Sequence, residues 1–274
     1  MSLTFVPTPL GNLRDITLRA VDALRDADVI VAEDSRVSRK LLSALGITGK
    51  SVWTYHEHSG PPAVQKIIDY AASARVAVVT DAGMPGVSDP GRELVLAARA
   101  AGVALEVLPG PVAFVPAIVL SGFAAPSSIF EGFAPRERSK RQAVFRAARS
   151  RHAVTAWYES PHRLMAALAD LETVDPLTPT FVLREYTKMY EQQILGTPAE
   201  VTAALEIPVR GECIIVIAGK AHTAAAPAEA ELDERIDALL EQGNSVSAVA
   251  KRLADEGLGE RRHLYARASE RKHR

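Results

Sequence analysis

Twelve consecutive residues, Thr80-Asp81-Ala82-Gly83-Met84-Pro85-Gly86-Val87-Ser88-Asp89-Pro90-Gly91, carry the densest chemical signal in the chain. Glycine lets a backbone approach a ligand closely and proline holds a loop in one shape, and this segment has three of the first and two of the second. Asp89 with Pro90 reads as the N-cap and first position of a following helix, which accounts for residues 89–91 and leaves 81–88 to hold a ligand. A second rigid element, Leu108-Pro109-Gly110-Pro111, could offer free amides to a carboxylate at a helix start or simply join two domains. Glu33-Asp34-Ser35-Arg36 sets two acids, a hydroxyl and a guanidinium directly after an apolar run, where charge is tolerated if paired or solvated. That segment reads either as an internal ion pair with a helix cap or as a functional set. His56 and His58, two apart, share a face if the strand before them continues. No third ligand follows at a convincing spacing, so no metal is expected, and substrate contact or plain surface remains for the pair.

The loop after the first apolar run is Pro7-Thr8-Pro9-Leu10-Gly11-Asn12 in place of GxGxxG, and no GxxxxGK[ST] is present. Dinucleotides and ATP recede as ligands, and a nucleoside without phosphates stays open. To place these loops, the first 110 residues must alternate strands (LTFV, DVIVA, VWTY, VAVVT, ALEVL) with helices from Leu18, Ser38, Ala63 and Arg92. That is a parallel α/β domain, residues 1–110, whose ligand belongs at the carboxyl ends of its strands. SSIFEGF, HAVTAWY, TFVLREY and ECIIVIAG predict further strands, separated by helices over 138–150, 161–171 and 198–205. This second α/β domain, residues 111–220, has connections short enough to imply a mixed sheet. Residues 221–232 are poor in large apolar groups and read as a linker. Beyond it, residues 233–274 form a helix-turn-helix-like module with an apolar stripe of Leu239, Val246, Val249, Leu253 and Leu264 beside Tyr265.

With 47% hydrophobic and 24% charged residues, the composition is that of a globular protein. No run is long enough to span a membrane and the start lacks a signal peptide, so a cytoplasmic enzyme with no membrane partner is expected. Cys213, the single cysteine, lies in an apolar run and predicts a buried structural thiol. The net charge of −1 hides two basic clusters: seven Lys or Arg against one Glu over 136–151, and six against one over 261–274. Either is a solvated helix face or a phosphate-binding patch.

Taken together, PTPLGNLRDITLRA at 7–20, EDSR at 33–36, HEH at 56–58, TDAGMPGVSDPG at 80–91, LPGP at 108–111, EGFAPR at 131–136, YESPHR at 158–163, REYTKMYE at 184–191 and GE at 211–212 resemble one family. The chain resembles the tetrapyrrole methylase superfamily, and within it the small-subunit (16S) ribosomal RNA cytidine 2′-O-methyltransferases. The resemblance implies two α/β domains of tetrapyrrole-methylase type with a small C-terminal helical module, S-adenosylmethionine as cofactor, a homodimer, and 16S rRNA in the small ribosomal subunit as partner. Carried over position by position, it puts cofactor contacts at Pro9, Leu10, Asp81, Gly83, Met84, Val87, Ser88, Ala113 and Tyr158. It sets Arg36, His56, His58, Arg136, Arg138, Lys140, Arg141, Arg261 and Arg262 toward RNA. The family's usual threonine is Met84 here and a common asparagine after the HxH is Ser59, so backbone contact is what position 84 can offer. A 2′-hydroxyl is a poor acid and gains from a base or a cation near the developing oxyanion. Glu33, Asp34, Glu159, Glu185 and Lys188 are candidates by type and loop position.

Two other readings share parts of this pattern. A tetrapyrrole C-methyltransferase acting on a precorrin or uroporphyrinogen would share fold and cofactor, but the PTPLGN loop and the basic tail disfavour it. A non-catalytic nucleic-acid-binding regulator would use the tail, yet would not need so many charged loops around its pocket.

Overall fold

The computed structural model describes all residues except 57, 220–228, 257, 260 and 273–274. Residues Met1–Gly219 form one compact unit and Lys220–Arg274 a second.

The first unit opens with strands β1 (Ser2–Phe5), β2 (Val29–Ala32), β3 (Ser51–Thr54), β4 (Arg75–Val79) and β5 (Ala104–Val107), alternating with helices α1 (Leu18–Asp26), α2 (Ser35–Ala44), α3 (Pro61–Ala71) and α4 (Arg92–Ala100). All five strands pair in parallel, in the order β3-β2-β4-β1-β5. Helices cover both faces, so β2 is buried at all four positions and reads VIVA without alternation. Helix starts follow local chemistry. Thr17 caps α1 by accepting from the Ala20 amide at 3.1 Å, and Pro61 and Pro62 open α3. The helix expected from Ser38 begins three residues earlier, because the Asp34 carboxylate accepts from the Arg36 amide at 2.8 Å and caps it.

The second half adds α5 (Phe114–Ser121), β6 (Ser127–Phe133), α6 (Arg138–Ser150), β7 (Ala153–Glu159), α7 (Pro161–Val174), β8 (Thr180–Arg184), β9 (Gln192–Gly196), α8 (Pro198–Ala204) and β10 (Cys213–Ala218). Its sheet runs β6-β7-β10-β8-β9, with β6 parallel to β7 and the other pairs antiparallel. Strand β9, QQILG, lies within what the sequence presents as a plain connection; its hairpin register against β8 makes it the sheet edge. Phe145, Leu164, Leu168, Leu171 and Val201 from α6, α7 and α8 fill one face around Trp157. Helix α5 covers the other with Ala117, over Val154, Ala156 and Leu183.

The second unit has its own small core. Helices α9 (Glu229–Glu241), α10 (Val246–Asp255) and α11 (Arg261–Lys272) bury Ile236, Leu239, Val249, Leu253 and Leu264 together. Of the expected linker, residues 221–228 lie outside the described residues and residues 229–232 are the first turn of α9. No helix of the described residues is long and apolar enough to cross a membrane.

Candidate active site

The parallel sheet brings the carboxyl ends of β1 and β4 side by side, and their loops join. The Thr8 amide donates to the Gly83 carbonyl at 2.9 Å and the Gly83 amide returns a bond to Thr8 at 3.1 Å. The Thr8 hydroxyl donates to the Thr80 carbonyl at 3.2 Å. Gly83 has φ +84°, and a Cβ there would stand 3.2 Å from Leu10 Cδ2, so glycine serves both backbone and space. The end of the loop differs from the expected helix start. Helix α4 begins at Arg92 behind Gly91, whose φ of +151° and close approach to Phe5 exclude other residues. Asp89 is therefore not a cap, and Ser88, with φ +61°, turns the chain just before it.

The opposite wall comes from the second sheet. The start of α5 contributes Val112 and Ala113, the end of β7 Tyr158 and Glu159, and the start of β10 Glu212, Cys213 and Ile214. Together with Leu10, Gly83, Met84, Val87, Ser88 and Asp89 they enclose a cavity of about 260 Å³, just below the ~300–1,000 Å³ of small-molecule sites. Its lining is mostly apolar with a few convergent polar groups. Glu159 is 2% exposed. One of its oxygens accepts from Arg163 Nη2 at 2.5 Å and from the Ser160 amide at 2.7 Å. The other, Oε2, has no partner among the described residues. A buried carboxylate oxygen left unpaired is costly, so a donor supplied by a ligand suits it. Burial pushes the Tyr158 hydroxyl up to about 12, so it stays a neutral donor. Cys213 is buried in β10, and burial also pushes its thiol up to about 12.

Four acids gather at the strand ends of the first sheet. Asp34 is held down to about 2 by its bonds to the Arg36 side chain and amide, and is a fixed anion. The Asp34 amide donates to Asp81 Oδ1 at 3.1 Å, and the Asp81 amide to Glu33 Oε2 at 3.5 Å. Burial, then repulsion from neighbouring acids, raises both Glu33 and Asp81. Asp89 moves furthest: burial, then the charge of Glu33, raises it to about 7, while the Thr80 hydroxyl pulls it partway back.

Of the residues expected at the cofactor, Leu10, Gly83, Met84, Val87, Ser88, Ala113 and Tyr158 line the cavity, whereas Pro9 and Asp81 stand outside its lining. Asp81 instead ties the loop after β4 to the loop after β2. Of the catalytic candidates, only Glu159 lines the cavity. Asp34 belongs to Arg36. Glu185 and Lys188 are paired at 3.0 Å, with Glu212 3.2 Å from the same ammonium. Glu185 Oε1 also accepts from the Glu212 amide at 3.0 Å, so this cluster braces the β8–β10 edge of the cavity. Among the RNA-facing expectations, Arg141 is corrected: it is 5% exposed, bonded to Asp170 and to the carbonyls of Pro135 and Arg136, and cannot reach a phosphate. Arg136, Arg138 and Lys140 are exposed, the last two pairing with Asp170 and Glu137. Arg36 is exposed on Asp34. His56 and His58 are exposed with ring centroids 6.3 Å apart, and among the described residues no three or more His, Cys, Asp or Glu could hold a metal ion. In the tail, Arg261 and Arg262 are exposed. Arg267 and Arg271 are bound to Asp233 and Asp237. Sequence reasoning missed Asp89, Glu212 and Phe133 as cavity residues. For Asp89 the helix-cap pattern concealed the signal, while GE at 211–212 was visible without a role.

The description "Tetrapyrrole (Corrin/Porphyrin) Methylases" belongs to the family model that matches residues 2–202. Among curated relatives, a protein of Halalkalibacterium halodurans is 40% identical over 80% of this chain and 76% of its own. Others from Streptococcus pyogenes serotype M1 (36%, 91% and 86%) and Synechocystis sp. (37%, 96% and 95%) are similar over still more. All three are named "Ribosomal RNA small subunit methyltransferase I". Two solved structures share the fold: a diphthine synthase (TM-score 0.63, 20% identity, 81% of this chain and 92% of that one) and a cobalt precorrin-4 methyltransferase (0.60, 19%, 79% and 94%).

Proposed function

The chain belongs to the tetrapyrrole (corrin/porphyrin) methylases, and from that premise we propose that it methylates the 2′-oxygen of a cytidine ribose in 16S rRNA of the small ribosomal subunit. Its methyl donor is S-adenosylmethionine, as in that family. The observation that carries the RNA assignment is the similarity, over most of the chain, to relatives named as small-subunit rRNA methyltransferases.

The cavity fits the donor. It is apolar enough for an adenosine and the carbon chain of a sulfonium, it offers close backbone approach at Gly83, and Glu159 Oε2, without a partner among the described residues, suits a hydrogen-bond donor. Leu10, Gly83, Met84, Val87, Ser88, Ala113 and Tyr158 would hold it, with Glu159 taking one of its polar hydrogens. Bound there, S-adenosylmethionine supplies an electrophilic methyl on a positively charged sulfur. The chain's own work is positioning: holding an acceptor oxygen in line at near-attack distance accounts for much of the rate in such transfers, and no covalent nucleophile is required. The acid-rich rim, with Glu33, Asp81 and Glu212, suits a cationic cofactor and repels the carboxylates of a tetrapyrrole. RNA contacts fall to exposed cations, Arg36, Arg136, Arg138, Arg261 and Arg262 among them, with His56 and His58. The protein acts in the cytoplasm as a homodimer, a state supported by the exposed apolar side chains Val115, Val119 and Leu120 of α5.

Incubation with methyl-labelled donor and unmodified small subunits, followed by alkaline digestion, tests the reading. A 2′-O-methyl removes the hydroxyl that attacks the next phosphate, so label is expected in an alkali-resistant dinucleotide. Label in free bases, or none in RNA, overturns it.

A further inference from the structure

Among the acids at the cavity, Asp89 is the one that no scaffold role consumes. It does not cap α4, because Gly91 takes that position. It takes part in no ion pair among the described residues, in contrast to Asp34, Glu159, Glu185 and Glu212, whose partners are Arg36, Arg163 and Lys188. Left-handed or extended-positive backbone at Ser88 and Gly91 brackets it and holds it in the cavity lining, across from Tyr158 and Glu212. An acid kept half-buried without a cation, on a loop the fold shapes so closely, has a use beyond stability.

Resting on the reading that the methyl acceptor is a hydroxyl, we propose that Asp89 is the proton acceptor of the transfer. The acceptor oxygen forms its bond to the methyl carbon as the carbon–sulfur bond breaks, and that electron pair stays on sulfur, which becomes a neutral thioether. The hydroxyl O–H bond breaks at the same time, its electrons remain on oxygen, and its proton passes to the Asp89 carboxylate and then to water. Charge balances: one cation and one carboxylate become a neutral thioether and a neutral carboxylic acid. The groups facing Asp89 come from four elements: Glu33 after β2, Asp81 after β4, Tyr158 on β7 and Glu212 before β10. Three are acids and the fourth stays neutral, so their field favours arrival of a proton. The cations Arg36 and Lys188 are engaged by Asp34 and by Glu185 with Glu212. The resulting titration near about 7 places the base where proton transfer is most effective at neutral pH. The other acids are less suited: Asp34 is too weakly basic, and Glu159 is paired with Arg163 through Oε1 while its Oε2 is left for the donor.

The test uses the full chain with methyl-labelled S-adenosylmethionine and unmodified small subunits, comparing the parent, Asp89→Asn and Asp89→Glu from about pH 5 to 9, with donor binding measured by calorimetry. Parent kcat/KM, which reports the free enzyme, is expected to rise through about pH 7. Asp89→Asn should lose about 10²–10⁴-fold in kcat and lose that limb, with donor affinity changed less than about threefold; Asp89→Glu should recover part of the rate and keep the limb. In the free protein, a carbon-13 titration should find one Asp carboxyl, absent in Asp89→Asn, with its midpoint near about 7. An Asn variant with parent kcat and an unchanged pH limb overturns the proposal. So does one whose defect lies wholly in donor affinity, which makes Asp89 a cofactor ligand, or a carboxyl midpoint at the ordinary 3.8. If the parent methylates no rRNA at any pH, the functional reading fails separately, and the carboxyl titration still judges Asp89.

Discussion

The surroundings of the two sheets treat charge in opposite ways. Around the second sheet the buried and half-buried charges have partners: Arg141 with Asp170, Arg163 with Glu159, Lys188 with Glu185 and Glu212. At the strand ends of the first sheet Glu33, Asp81 and Asp89 crowd together and are all raised, while Asp34 is neutralised by Arg36. Paired charge marks scaffold here and unpaired charge marks the place where chemistry is expected. The physical difference is that a buried pair offsets its own desolvation until one partner is removed, whereas an unpaired raised acid has no such offset and costs stability once pH exceeds its ordinary pKa.

The largest test of this contrast is on the paired side. Burial alone would raise Asp170, but bonds from Gln142, Arg141 and Arg138 outweigh it and hold it below its ordinary range. Asp170→Ala would leave the buried Arg141 guanidinium uncompensated and is expected to cost about 3–5 kcal/mol in denaturant unfolding. Because the folded-state pKa of Asp170 is depressed, its contribution is present above the unfolded value of 3.8 and is lost as pH falls below it. A melting temperature for Asp170→Ala equal to the parent's at neutral pH would break the comparison on this side.

Next in size is Gly83→Val. A side chain at φ +84°, facing Leu10, should weaken S-adenosylmethionine binding at least about tenfold by calorimetry, or about 1.4 kcal/mol, in a protein that still folds. Unchanged affinity would remove Gly83 from the cofactor site.

On the unpaired side the sign reverses. Asp89 has a folded pKa of about 7 against an ordinary 3.8, so the stability it lends is complete below about pH 4 and is lost as pH rises to about 7. Asp89→Asn should therefore melt higher than the parent at pH 8, by about 2–4 °C for each ~1 kcal/mol gained, and the gap should close toward pH 4. A variant less stable than the parent at pH 8 would give Asp89 a scaffold role after all.

A smaller effect is expected from a chain ending at Lys220. Arg267 and Arg271 are spent on Asp233 and Asp237, which leaves Lys251, Arg261, Arg262 and Lys272 as exposed tail cations without an ion pair among the described residues. Truncation should flatten the salt dependence of RNA binding by about 0.7–0.9 per lost phosphate contact. Equal slopes would end the docking role. The smallest effect belongs to Met84→Thr, expected to leave donor affinity within about twofold if only the backbone at 84 matters.

Much of this protein could be read in one dimension. VIVA, VAVVT and CIIVIAG are runs whose β-branched residues fit buried strands whatever follows them, and Thr17, Pro61 and Ser245 start helices through bonds to their nearest neighbours. The glycines of the loop after β4 were visible because backbone geometry is a local demand. What lay beyond the sequence depended on contacts between distant segments. QQILG alternates too weakly to announce β9, which exists because β8 offers it an edge. Arg141 looked like one more member of a basic run until α7 brought Asp170 beneath it. Asp89-Pro90 satisfied the local rule for a helix start, and only the packing of Gly91 against Phe5 moved that start to Arg92 and left the carboxyl in the cavity. Most secondary structure and loop shape answer to neighbours in sequence, with β9 and the start of α4 decided instead by distant contacts. The state of a charge answers to whichever residues the fold places around it, and Glu33 and Glu212 reach Asp89 only through the tertiary structure.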